Sequence, residues 1–179
     1  MPATKDEIAA KFMELVFRFG YRRTAVEDVA RELHISKKTI YEHFASKEDL
    51  MRYALELGAR GQRARVESLL TETTALGRVV EVVGIALADA RRFYESGPST
   101  EMVEPPQMQA QVNALVYGPM VRDLLVESTA SGEFDVSDPD ATAAFAVAMG
   151  MEAVRMIRDD STSHPEEALL DGLRRLIGG

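Results

Sequence analysis

Residues 24–47 read TAVEDVARELHISKKTIYEHFASK, and the stretch divides into a short helix, a tight turn and a second short helix. Thr24 can cap the first helix through its hydroxyl, with Glu27 three residues on completing a capping box. Val26, Val29, Ala30 and Leu33 then recur at three- and four-residue spacing on one face, while Glu27, Asp28, Arg31 and Glu32 cover the other. His34 and Ile35 make the turn, Ser36 caps again, and Lys37–Phe44 forms the second helix. At 1.5 Å per residue that helix is about 12 Å long, enough to reach into one major groove. It carries Lys37, Lys38, Thr39, Tyr41 and His43 beside a single acid, Glu42. The pattern is a helix-turn-helix whose second helix suits a DNA groove.

Its side chains divide by chemistry. Lys37, Lys38 and Thr39 occupy the first turn, where such helices approach base edges; lysine can reach guanine O6 or N7, and the threonine methyl can touch a thymine methyl. Tyr41, His43 and Lys47 suit phosphates, which set register without reading sequence. Lys47 also follows Ser46 at a helix start, where free N–H groups favour an anion. The capping hydroxyls of Thr24 and Ser36 complete the candidate DNA-facing set. Partial burial against the first helix is the alternative for Tyr41, and Phe44 belongs to the core. Arg22 and Arg23, in the preceding turn, are either solvated or touch phosphates.

Gly20-Tyr21, Thr24–Ala30, Ile35-Ser36, Thr39–Tyr41 and His43–Glu48 together resemble the DNA-binding module of the TetR family of transcriptional regulators. The likeness covers about the first third of the chain and is ungapped. It implies an all-helical homodimer, usually a repressor, whose C-terminal domain binds a small effector and releases a pseudo-palindromic operator of double-stranded DNA. Two positions depart from the family pattern. Leu33-His34 stands where the family often has Ala-Gly, and Lys38 where many members have a glycine that brings the backbone close to DNA.

The rest of the chain frames that module. Its 179 residues, 46% hydrophobic and 28% charged, are those of a globular protein able to bury a substantial core. There is no cysteine, which excludes disulfides and thiolate chemistry. No apolar signal region opens the chain, and the uncharged run 141–151 is far short of the ~20 residues that span a bilayer, so a cytoplasmic protein without membrane partners is expected. The net charge of −8 is unevenly distributed: residues 1–52 hold ten Lys or Arg against nine Asp or Glu, and residues 53–179 hold eleven against twenty. A near-neutral head on an acidic body suits a protein presenting one end to phosphates, although ordinary solvated charge would produce the same acidic body.

The expected fold is all-α: a three-helix head at residues 1–52, and a larger helical domain for effector binding and dimerisation at residues 53–179. Helix 1 should run from Lys5 to Phe19, with Ile8, Phe12, Leu15 and Phe19 on its inner stripe beside Val16, and Gly20 ending it. A longer helix starts after Ser46, capped by Ser46 and Asp49, with Leu50, Tyr53, Ala54 and Leu57 inward and a polar break at 71–77. Further helices are expected over Arg78–Glu95, from about Pro105, and over Pro119–Ser128. The Ser137–Asp140 cap opens an Ala-rich helix, and the last helix spans Pro165–Ile177. Ala141–Gly150 looks like a dimer face, or else a close packing within one subunit. Leu169, Leu170, Leu173, Leu176 and Ile177 would supply the other half of a four-helix interface.

No HExxH, P-loop, glycine-rich dinucleotide turn or G-x-S-x-G is present, and the three histidines have no metal-site spacing, so neither enzyme activity nor a metal or other cofactor is expected. For a small-molecule effector, apolar or aromatic, the candidate lining is Phe93, Met102, Met108, Tyr117, Met120, Phe145 and Met149, with Arg91, Arg92, Asn113 and Arg122 as polar groups to orient it. A plain core explains the same apolar residues. Activation in place of repression, regulation without a ligand, and a helical protein-interaction module remain the alternative functions.

Overall fold

A computed structural model describes residues 3–95, 113–133, 136–159 and 164–177, which form two compact units dividing between Gln62 and Arg63. That division falls beyond the 52/53 boundary expected from sequence. The reason is local: the start of the fourth helix packs into the first unit, with Leu50 and Ala54 fully or almost fully buried there and Tyr53 and Leu57 against the same core.

The first unit opens with α1 (Lys5–Phe19), whose start is closed by a reciprocal cap. The Glu7 N–H donates to Thr4 Oγ1 at 3.2 Å, and the Thr4 N–H donates to Glu7 Oε2 at 2.7 Å. The helix ends at Gly20, whose φ of 82° lies where side chains other than glycine are strained. Then come α2 (Val26–Glu32), α3 (Lys37–His43) and the first part of α4 (Lys47–Leu69). Ile8, Phe12, Val16, Val29, Ile40 and Phe44 meet in one core. Phe19 does not join them: it is 48% exposed, with the Arg18 guanidinium over its ring, because Leu15 and Val16 already fill the inward stripe.

In the second unit α4 ends at Leu69 and α5 (Ala75–Glu95) begins three residues earlier than the sequence suggests. Its exposed N–H groups are met from far along the chain, where the Glu133 carboxylate accepts from Ala75 N at 2.8 Å and Leu76 N at 3.3 Å. A π-helical turn at Asn113–Tyr117 leads into α6 (Gly118–Ser131), followed by α7 (Pro139–Asp159) and α8 (Pro165–Ile177). The break at 96–99 and the helix expected from Pro105 lie outside the described residues. The helices α5, α6 and α7 pack on one another, and α8 lies against α5 and α7. Val79, Val82, Leu87, Val121, Leu125 and Ile157 form the centre.

The inner side of α7 is made by Ala143, Ala146, Ala153 and Ile157. Small side chains let it approach α5 and α6 closely, and packing against those helices turns this side inward. The packing of α7 and α8 corrects two expectations. Phe145 and Met149, proposed as pocket lining, lie on the outer face at 65% and 36% exposure. Leu169 and Leu173, proposed for an interface between copies, are buried within this one chain.

Arginine–carboxylate bridges join the helices of this unit. Arg65 of α4 makes two hydrogen bonds to Asp89 of α5, at 2.7 and 2.9 Å. Arg63 reaches Asp123 of α6 at 2.8 Å, and Arg78 of α5 reaches Glu127 at 3.1 Å. Arg91 Nε donates to Glu166 of α8 at 2.5 Å, and Arg122 Nε to Asp140 of α7 at 2.5 Å.

Candidate nucleic-acid interface

The turn between α2 and α3 is set by backbone hydrogen bonds. Ile35 N donates to Ala30 O at 3.0 Å and His34 N to Arg31 O at 3.3 Å, the paired bonds of a Schellman ending. Such an ending needs one residue in the left-handed region. Here it is His34, at φ 53°, the sole non-glycine residue with positive φ among the described residues. From there Ser36 starts α3, its Oγ accepting from Thr39 N at 3.0 Å and sharing a 2.9 Å hydrogen bond with Thr39 Oγ1.

One side chain of α3, Ile40, is buried, and Phe44 anchors the helix end. The Phe44 ring meets Tyr53 of α4 at 5.5 Å between centroids, with Lys5 Nζ over both rings and the Tyr53 hydroxyl donating to Asp6 at 2.6 Å. With its inner edge held this way, α3 turns Lys37, Lys38, Tyr41, Glu42 and His43 to solvent, and Thr39 is half-buried. Tyr41 is 46% exposed, so it does not bury against α1.

The lysines are not idle. Lys37 is ion-paired with Glu27 of α2 and lies 5.6 Å from the Tyr41 ring centre. The shared hydrogen bond holds the Glu27 carboxyl below its ordinary range and pushes the Lys37 ammonium above its own. Lys38 sits 3.8 Å from Glu42 and is otherwise in water. Lys47 turns back on its own fold: Nζ donates to Tyr21 O at 2.6 Å and stands 4.2 Å over the Tyr21 ring. Partial burial, then the neighbouring Glu48 carboxylate, pushes the Tyr21 phenol up.

Thr24 departs from its expected role. It is buried, its hydroxyl donates to Gly20 O at 3.0 Å, and it neither caps α2 nor presents its side chain at the surface. Ala25 occupies the cap position, and Asp28 closes the helix by accepting from Ala25 N at 3.0 Å. Ser46 and Asp49 do cap α4: Asp49 N donates to Ser46 Oγ at 3.1 Å and Ala45 N to Asp49 Oδ2 at 3.0 Å.

The candidate effector residues are scattered by comparison. Tyr117 and Met120 are buried in the second unit, Phe145 and Met149 face outward, and Met102, Met108 and the side chain of Phe93 lie outside the described residues. Sequence reasoning missed two roles, that of Glu27 as the partner of Lys37 and that of Asp28 as the carboxylate closing α2. The S/T-x-x-E pattern drew attention to Thr24 and Glu27, whereas the cap is one residue further along. Among the described residues no group of three or more His, Asp or Glu is placed to hold a metal, and no helix is long and apolar enough to cross a membrane.

A three-helix core carrying an exposed, lysine-bearing second helix defines a helix-turn-helix protein, here with an all-helical second unit. Residues 8–54 match the model for bacterial regulatory proteins of the tetR family. Over that stretch, about a quarter of the chain, the sequence is similar to the family's DNA-binding module. Over 47 residues it is 36% identical to the HTH-type transcriptional regulator TcmR of Streptomyces glaucescens, a stretch that takes in 26% of this chain and 21% of TcmR. The chain therefore spans about a fifth of the length of that curated relative. Among solved structures, a Rhodococcus protein assigned to the TetR-family transcriptional regulators superposes with a TM-score of 0.66 at 22% identity, covering 97% of each chain. FadR of Bacillus subtilis, solved with stearoyl-CoA, superposes with a TM-score of 0.61 at 18% identity over 95% of each chain. At these identities the likeness is one of fold.

Proposed function

We propose that this chain is a sequence-specific DNA-binding transcriptional regulator, a repressor that a small-molecule effector releases from a pseudo-palindromic operator. The observation that carries this reading is α3, which buries Ile40 and turns Lys37, Lys38, Tyr41 and His43 outward at the end of a rigid three-helix core. The first unit is assigned to DNA and the second to effector binding and dimerisation. Two heads of a homodimer would enter major-groove faces about 34–36 Å apart or a multiple of that spacing. The outer face of α7 supports dimerisation, since Phe145, Met149 and Met156 stand there 65%, 36% and 39% exposed. Buried Tyr117 and Met120, and the fold shared with an acyl-CoA-bound FadR, favour an apolar or aromatic effector.

Selection of bound duplexes from sheared genomic DNA tests this reading. An enriched palindrome that is lost in a Lys37→Ala/Tyr41→Ala variant, and eluted by members of a panel of apolar and aromatic compounds, is the expected result. Retention of random duplexes alone, unaffected by the two substitutions, would sink it.

A further inference from the structure

The ten Lys and Arg of residues 1–52 are not equally available to a polyanion. Lys11, Arg31, Lys38 and Arg52 face acids of their own helix, and Lys37 faces Glu27. Lys47 is turned onto the Tyr21 carbonyl, while Lys5 and Arg18 lie over aromatic rings. That leaves Arg22 and Arg23. Both are exposed, and among the described residues neither has a hydrogen bond, an ion pair or a ring contact.

Two contacts place their turn alongside the recognition helix. Tyr21, the residue before Arg22, is held by Lys47 just beyond the end of α3. Glu27, four residues after Arg23, is held by Lys37 in the first turn of α3. The turn is thus tied to both ends of the helix, and its two free guanidiniums stand beside the surface that would enter the groove.

A paired lysine must give up its carboxylate to bind phosphate, and the carboxylate left behind then repels the same phosphate. A free guanidinium incurs neither cost and matches a phosphate with two parallel N–H donors. We propose that Arg22 and Arg23 are the principal phosphate-binding residues of this module, holding the DNA backbone while the side chains of α3 address the bases. This rests on the DNA-binding reading above and assigns within it a division of labour: affinity in the turn, sequence preference in the helix.

Fluorescence anisotropy with labelled mixed-sequence duplex DNA, followed from about 50 to 200 mM salt, separates these roles because each lost phosphate contact removes about 0.9 from the slope of log affinity against log salt. Arg22→Gln/Arg23→Gln is expected to flatten the slope by roughly 1.8 per bound head and to weaken binding at least tenfold at low salt. Lys37→Gln should change the slope by less than half as much. Both variants alter exposed side chains, and an unchanged thermal unfolding curve verifies that the fold is retained. A slope unaltered by the double arginine change overturns the assignment. Failure of the unmodified chain to bind any duplex overturns the DNA-binding reading itself, and the assignment with it.

Discussion

In the first unit, charged side chains find their partners close by. Lys11–Glu14, Arg31–Asp28 and Arg52–Asp49 each lie within one helix, and among the described residues Lys37–Glu27 is the single ion pair there that joins two helices. In the second unit, arginines cross from helix to helix, from Arg65 to Asp89, Arg63 to Asp123, Arg78 to Glu127 and Arg122 to Asp140. The cores differ in the opposite sense. Phe12, Phe44, Ile8, Ile40 and Leu50 interlock the first with large, shaped side chains. Valines and alanines dominate the second, and such surfaces can slide or rotate against one another with little change in buried area. Exposed pairs of this kind contribute about 0–1 kcal/mol each. Their role is to select one register among packings that small residues leave nearly equivalent. One unit takes its shape from its interior, and the other takes part of its shape from charge at its surface.

The strongest way to break this comparison is to empty each core in turn. Phe12→Ala should cost the first unit about 3–5 kcal/mol, and Leu173→Ala should cost the second about 2–5 kcal/mol. Hydrogen exchange read by mass spectrometry should show protection lost in α1–α3 for the former and in α5–α8 for the latter. Loss of protection everywhere with either change would mean that the two units unfold as one, and the contrast would lose its force.

Two helix endings sharpen it further, because they are the same motif with different residues. His34 ends α2 at φ 53°, and Gly132 ends α6 at φ 72°, with Gly132 N donating to Thr129 O and Glu133 N to Ser128 O. The first unit therefore carries a strain that the second avoids. His34→Gly should stabilise the chain by about 0.5–1 kcal/mol in urea unfolding, relief of the left-handed conformation being partly offset by the greater freedom of glycine when unfolded. A loss of stability would show that the His34 side chain makes a contribution beyond the turn.

The smallest effect concerns acid. Hydrogen bonds from the Ala25 and Ala45 N–H groups hold the Asp28 and Asp49 carboxyls below their ordinary value, with Arg31 and Arg52 adding to the effect. A carboxyl lowered on folding contributes its full stabilisation above its unfolded value, here the ordinary 3.8, and loses it as pH falls through the lowered one. Opening of α2 followed by hydrogen exchange should therefore become easier below about pH 4, and Asp28→Asn should flatten that dependence. Parallel pH curves for the two proteins would remove Asp28 from the account.

These residues also show which features a sequence can disclose. The bounds of α1, the Ser36 cap and the Ser46–Asp49 cap were legible because each depends on neighbours within four positions. The cap of α2 was not, since Thr24 and Asp28 are both chemically suited and only the inward turn of Thr24 toward Gly20 O decides between them. Glu133 closing α5 had no local signal at all, as the two lie 58 residues apart. The positions of Phe145 and Met149 depended on the rotation of an Ala-rich helix, and small residues on several faces leave that rotation open until neighbouring helices choose one. The helix-turn-helix was readable in a single pass; the side chains around a candidate effector were not.

With Ile40 as the buried side chain of α3, the chemistry of its outward positions is almost uncoupled from whether the protein folds. Substitutions at exposed sites of this kind usually change stability by no more than about 0.5 kcal/mol. Lys37, Lys38, Tyr41 and His43 can therefore be exchanged in many combinations without approaching the threshold at which the chain is lost to degradation. New binding preferences lie within a few neutral steps of the present one, for natural drift and for directed evolution alike.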